Sequence, residues 1–172
     1  MSGAFLHLGE SPAGPVSWLA PDGHAGTGDL DAAAAALGTR ECAVFAPGQR
    51  CLLTRAPVPS RNRAHQARAV PYALEDDLSS DVEGLHFALG PHRGGQVAVA
   101  VVARDWLEAW RAALDQTGLQ ASGIFPDLLA LPWDGERWTL ADNGATVLVR
   151  TGAHSGFARS EEHTSELQSL SH

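Results

Sequence analysis

Residues 96–125 read QVAVAVVARDWLEAWRAALDQTGLQASGIF, and this stretch decides the fold class. Its first part, residues 96–103, alternates valine with small residues, which predicts a strand buried on both faces. Apolar residues recur at helical spacing over 105–117, and Gly118 suits the end of a helix. Residues 119–125 return as a strand. Such a strand–helix–strand unit predicts a parallel pair of strands joined by a right-handed crossover.

Hairpins and helices are predicted on both sides of this unit. Glycine, proline and Asp-Asn-Gly turns separate short apolar stretches, which predicts four hairpins: 4–8 with 16–20, 42–46 with 51–55, 85–89 with 96–103, and 137–141 with 145–150. Further helices are predicted at 29–37, ending at Gly38, and at 60–78, with a kink or break at Pro71. Because hairpins are mixed with crossover helices, the expected class is α/β with a mixed sheet.

The composition excludes several kinds of function. All 12 basic residues among the 172 are arginine, so no lysine is present to bind phosphate or form a Schiff base. A net charge of −8 argues against a nucleic-acid partner. The longest apolar run, 97–103, is too short to span a membrane, and no signal peptide is recognisable. Cys42 and Cys51 are therefore expected to be reduced thiols in the cytoplasm.

Candidate reactive groups are few. The histidines before residue 159 do not have metal-ligand spacing, and the glycine-rich stretch 90–95 leads into a strand rather than a phosphate-binding helix. We therefore expect no catalytic, cofactor-binding or metal-binding residues. One dense acidic cluster has two interpretations, a solvated helix end or a docking surface for an arginine- or lysine-bearing partner. It consists of Glu75, Asp76, Asp77, Asp81 and Glu83.

The C-terminal residues 159–172, RSEEHTSELQSLSH, differ in character from the rest of the chain. Residues 159–169 resemble the translation of a common sequencing-adapter oligonucleotide. The sequence therefore predicts that 159–172 is an artefactual, non-native tail and that 1–158 is a partial domain. On this interpretation the natural reading frame continues differently after residue 158.

Three motifs carry a resemblance to a known family. Residues 70–78 read VPYALEDDL, residues 81–87 read DVEGLHF, and residues 125–132 read FPDLLALP. Together they resemble type II secretion system protein L, and the collinear resemblance covers about residues 4–158. It implies an actin-like, ribonuclease-H-like fold with a mixed sheet and flanking helices, here truncated. It also implies the cytoplasmic part of a bitopic inner-membrane protein, whose single membrane helix lies in the missing portion.

The resemblance further implies a function and partners. In this family the cytoplasmic part recruits the secretion ATPase, protein E, to the inner-membrane platform, and a periplasmic domain pairs with protein M. We expect a non-catalytic scaffold with no cofactor, because His7 stands where nucleotide-binding actin-like proteins carry an acidic residue and Mg²⁺ needs hard oxygen donors. The alternatives are an actin-like ATP-binding protein or ATPase, and a related pilus-assembly protein.

Overall fold

The computed structural model describes residues 3–160, in two compact units. Of these residues, unit 1 comprises 3–47 and 103–127, and unit 2 comprises 48–102 and 128–160. The strands are β1 (Ala4–His7), β2 (Val16–Leu19), β3 (Ala25–Gly28), β4 (Glu41–Ala46), β5 (Cys51–Pro57), β6 (Leu85–Arg93), β7 (Gln96–Ala103), β8 (Gln120–Pro126), β9 (Thr139–Asp142), β10 (Thr146–Gly152) and β11 (Ser155–Ser160). The α-helices are α1 (Leu30–Leu37), α2 (Arg63–Leu74) and α3 (Arg104–Thr117). Short 3₁₀ helices occupy Gly48–Arg50, Glu75–Asp77, Val82–Gly84 and Asp127–Ala130.

Unit 1 is built on a five-stranded sheet with the order β3-β2-β1-β4-β8. The strand β1 runs antiparallel to β2 and parallel to β4, and β4 runs parallel to β8. The sheet is therefore mixed, as expected. Because β1, β4 and β8 are parallel, their carboxyl ends lie at the same edge of the sheet.

The two faces of this sheet differ in burial. Alternate side chains of β1 and β4, such as Leu6 and Val44, are fully buried, as are Leu37 of α1 and Trp110 of α3. The side chains that alternate with them, on the other face of the sheet, are partly or largely exposed. The predicted apolar stripe of α3 is confirmed, and the helix ends at Gly118, whose φ of 71° is costly for residues with a Cβ.

Two of the predicted strand pairings are wrong. The strand β7 does not pair with β8 but lies in unit 2, where it runs antiparallel to β5, and β8 pairs instead with β4. Likewise β4 and β5 do not form a hairpin, because they belong to different sheets. The crossover rule holds for strands of one sheet, and the strand patterns do not reveal which sheet each strand joins.

Unit 2 contains two three-stranded sheets. In the first, with the order β5-β7-β6, alternate valines of β7 pack with Val70 and Leu74 of α2 into an apolar core. Helix α2 begins after Asn62, whose side chain accepts a hydrogen bond from the His65 amide at 3.0 Å. It runs through Pro71 and ends at Leu74, earlier than the sequence predicts.

The second sheet of unit 2 has the order β11-β10-β9. The predicted hairpin at residues 142–144 is confirmed, since β9 and β10 pair antiparallel around it. The strand β11 includes Arg159 and Ser160, the first two residues of the predicted foreign tail. The rest of that tail lies outside the described residues, so its artefactual origin stays a prediction.

Candidate functional site

The carboxyl-end edge of the unit 1 sheet is the position where open α/β sheets commonly bind ligands. Two ionisable side chains lie there. His7 is the last residue of β1, and Asp127 directly follows β8. The strand β4 lies between β1 and β8. His7 of β1 is in register with Phe45 of β4, and Ala46 of β4 is in register with Pro126 of β8.

His7 and Asp127 contact each other directly. His7 Nε2 donates to Asp127 Oδ2 at 3.0 Å. The Asp127 side chain is 10% exposed, whereas the His7 side chain is 45% exposed. The second oxygen, Asp127 Oδ1, is buried and has no hydrogen-bond partner among the described residues. The pair therefore joins a half-exposed imidazole to a buried carboxylate.

Sequence reasoning identified His7 but not Asp127 as a residue of this edge. The signal for Asp127 was present, because it is the aspartate of the FPDLLALP motif. Its proximity to His7 depends on the order of β1, β4 and β8, which the motif does not specify.

This edge offers few ligands for a metal ion. Mg²⁺ prefers several oxygen donors in octahedral geometry. Here one Asp127 oxygen accepts from His7, and that imidazole occupies the carboxyl end of β1. Across residues 3–160 no group of three or more His, Cys, Asp or Glu side chains could hold a metal ion.

The acidic cluster lies in unit 2, where it follows α2. Its five members are all exposed, and they fall within or beside the 3₁₀ helices Glu75–Asp77 and Val82–Gly84. Asp81 Oδ1 accepts from the Glu83 amide at 3.0 Å, which caps the second of these helices. The apolar residues between and after the acids, Leu78 and Leu85, pack against the unit 2 core and hold the segment on the domain.

The position of the acidic cluster is electrostatically unfavourable for the helix. A helix C-terminus carries partial negative charge, so carboxylates there are destabilising. Helix α2 has no basic residue in its last turn, yet Glu75, Asp76 and Asp77 follow it directly. One turn earlier, Tyr72 is 76% exposed. The sequence thus places negative charge and an exposed aromatic ring where helix stability alone does not favour them.

Neither Cys42 nor Cys51 forms a disulfide within the described residues. Cys42 is buried in unit 1, and this burial raises the pKa of its thiol. Cys51 in unit 2 is only partly buried.

The sheet order of unit 1, with its helices and parallel carboxyl-end edge, defines a mixed α/β protein of the actin-like class. The fold is similar to the cytoplasmic domain of EpsL, an inner membrane component of the type II secretion system of Vibrio cholerae. That match has a TM-score of 0.79 at 24% identity and covers 96% of this chain and 74% of that domain. A PilM–PilN type IV pilus biogenesis complex is also similar, with a TM-score of 0.58 at 17% identity over 99% of this chain and 66% of the matched chain.

Sequence comparison identifies the family within this class. The model of type II secretion system protein L matches residues 23–172, and the chain belongs to this family. Protein L of Klebsiella pneumoniae is 35% identical over 115 residues, which are 67% of this chain and 29% of that protein. Protein L of Pseudomonas aeruginosa is 34% identical over 100 residues, 54% of this chain and 26% of the relative. The chain thus spans less than a third of the length of these relatives.

The chain is therefore a component of the type II secretion system, and the predicted fold and family are confirmed. No helix within residues 3–160 is long and apolar enough to cross a membrane.

Proposed function

We propose that this chain is a non-catalytic scaffold, part of the cytoplasmic domain of a bitopic inner-membrane protein, and that it tethers the secretion ATPase, protein E, to the inner-membrane platform. Family membership supports a role in secretion. The observation that carries the non-catalytic part is the His7–Asp127 pair at the edge where nucleotide-binding members of the class carry an acidic residue. We further propose that contacts to protein M and to the rest of the platform are made by parts of protein L outside the aligned region.

The chemistry of the His7–Asp127 pair favours a scaffold over an ATPase. A nucleotide–Mg²⁺ unit needs oxygen donors that are free to face it. Here an imidazole replaces one carboxylate, and it engages an oxygen of the nearby one. A likeness to an actin-like fold does not supply activity without such a site.

Titration calorimetry with Mg-ATP tests this part of the proposal. We expect no measurable heat of binding to the complete protein and none after His7→Ala. Saturable binding that His7→Ala abolishes would make the chain an actin-like nucleotide-binding protein instead.

The acidic cluster is the proposed docking surface for protein E. It presents five exposed carboxylates without a basic residue in the last turn of α2. Such a surface attracts arginine- and lysine-bearing partners and mainly accelerates association. Tyr72, exposed one turn before the cluster, adds an aromatic face on which a guanidinium can stack.

The docking proposal is tested by pull-down of protein E with the complete protein L. We expect the double variant Glu75→Arg, Asp76→Arg to bind at least about ten-fold more weakly, which corresponds to about 1.4 kcal/mol. The matched control, Glu108→Arg with Asp115→Arg, makes the same charge change at exposed positions of α3 and should bind normally. Unchanged binding by the first variant, or equal losses in both, would refute the assignment.

A further inference from the structure

The solvent side of helix α2 carries one stripe of charged and aromatic side chains. Its members are all exposed and follow one another at the three- and four-residue spacing of a helix, and they are His65, Arg68, Tyr72, Glu75 and Asp76. Glu75 ends the helix in the right-handed helical conformation, so the stripe continues to it without a break. The opposite side of α2 is buried in the core of unit 2. We call these five residues the outer face of α2.

The charges of the outer face oppose the macrodipole of α2 at both ends. A helix N-terminus is partially positive and a C-terminus partially negative, so each end is stabilised by the opposite charge. Helix α2 has no acidic residue in its first turn and no basic residue in its last turn. His65 and Arg68 lie in its first half instead, and Glu75 and Asp76 lie at its end. A second helix that runs antiparallel to α2 and carries the same charges supplies what each end lacks.

The order of residues along the outer face is complementary to its own reverse. His65 and Arg68 precede position 70 by five and two residues, and Glu75 and Tyr72 follow it at the same intervals. Two antiparallel copies of α2 that cross at position 70 therefore place His65 opposite Glu75 and Arg68 opposite Tyr72, each pair twice. The imidazole can donate a hydrogen bond to the carboxylate, and the guanidinium can stack on the exposed ring. An interface between identical surfaces across a two-fold axis requires this self-complementarity.

The charged groups of the outer face are not engaged within the domain. No ion pair within residues 3–160 involves Arg68 or Glu75. Arg63, on the inner side of the same helix, differs from them, because its guanidinium donates to the backbone carbonyls of Leu89 and Gly90 and so fixes α2 to β6. The outer arginine and carboxylate have no such structural role, which leaves them for a partner.

We propose that the outer face of α2 binds the same face of a second copy of this chain, antiparallel and across a two-fold axis. The 12 residues of α2 are about 18 Å long, so the contact is smaller than the about 1,200 Å² of stable interfaces, and the association is weak and lowered by salt. Anchoring both copies in one membrane, as proposed above, raises their local concentration. The pairing itself needs no protein E. Because it uses Glu75 and Asp76, however, it competes with the docking proposed for protein E.

Photo-cross-linking of the purified complete protein, without other secretion components, tests the pairing. The photoreactive substitution Tyr72→p-benzoylphenylalanine keeps an aromatic ring beside the crossing point, where Tyr72 is 76% exposed. The matched control places the same analogue at Glu108, on the exposed side of α3. We expect the yield of covalent dimer from position 72 to exceed that from position 108 at least about ten-fold, because pairing raises the effective concentration of the second copy. Salt at about 0.5 M should lower this yield by screening the charges.

Charge reversal shows whether the cross-link depends on the outer face. The variants His65→Glu, Arg68→Glu and Glu75→Arg, Asp76→Arg each place like charges opposite one another, so we expect the yield to fall to that of the control. The variant with all four substitutions restores opposite charges across the pair and should recover cross-linking. All four substitutions match the macrodipole of α2, so loss of the helix cannot explain a lower yield.

Two results would overturn the pairing. One is a yield from position 72 no higher than that from position 108, which would leave the outer face to a partner other than a second copy. The other is a yield that reversal of either half leaves unchanged. The variant His65→Glu, Arg68→Glu keeps the acidic cluster, so its binding of protein E in the pull-down should stay normal. Failure of the pairing and failure of the proposed docking therefore appear in different assays.

Discussion

Removing the imidazole from the His7–Asp127 pair should measurably destabilise unit 1. The contact is a 3.0 Å hydrogen bond to a carboxylate whose side chain is 10% exposed. Hydrogen bonds to charged groups contribute about 1.5–3 kcal/mol, and an unsatisfied buried acceptor costs about 1–3 kcal/mol. Since His7 is 45% exposed, water replaces part of the lost contact, and we expect His7→Ala to lower the free energy of unfolding by about 2 kcal/mol.

A double-mutant cycle isolates this contribution. Asp127→Asn keeps the shape of the side chain but removes its charge, so leaving it unpaired costs less. We expect the double variant His7→Ala, Asp127→Asn to lose at least about 1 kcal/mol less than the sum of the single variants. The assay is urea unfolding at neutral pH, followed by circular dichroism. Additive losses, or a loss below about 0.5 kcal/mol for His7→Ala, would refute the reasoning.

Three further predictions concern other parts of the chain. The Arg150 guanidinium donates to four backbone carbonyls, those of Leu129, Leu131, Gly152 and Ala153. We therefore expect Arg150→Met to destabilise unit 2 by about 2–4 kcal/mol in thermal unfolding. A loss of stability within experimental error would contradict this prediction. Leu74 is 1% exposed, so Leu74→Ala should lower the free energy of unfolding by about 2–5 kcal/mol. Tyr72 is 76% exposed, so Tyr72→Ala should change the same quantity by no more than about 0.5 kcal/mol in the same assay. Ellman's reagent at mildly alkaline pH should modify Cys51 well before Cys42. Burial raises the pKa of the Cys42 thiol, so less of this thiol is present as the reactive thiolate. Equal rates of modification at the two cysteines would be inconsistent with the burial of Cys42.

Short sequence patterns correctly predicted those helices and turns that depend on residues close together in the chain. The apolar spacing of α3 and the turn at 142–144 both appear in the structure as predicted. Such features depend on contacts between residues a few positions apart, so a short window of sequence contains their cause. The strand β3 was missed, because Ala-Gly-Thr-Gly contains no β-branched or aromatic run.

The strand partners were harder to predict because pairing depends on distant residues. Residues 48–102 separate β4 from α3, and within this stretch β5, β6 and β7 form a sheet of their own. From the sequence, β7 followed by α3 and β8 looks like one crossover unit. The structure instead pairs β7 with β5 and β8 with β4, since the burial of each valine face depends on partners far along the chain.

The sequence by itself determined the family, the fold class and the position of the acidic cluster. Each rests on contiguous motifs, such as the VPYALEDDL run and the residues that follow it. Only the tertiary structure placed Asp127 beside His7 and aligned Phe5, Phe45 and Phe125 in one row. Both features require the strand order β1-β4-β8, which brings together residues about 40 to 120 positions apart, and such pairing is set by the packing of the whole sheet.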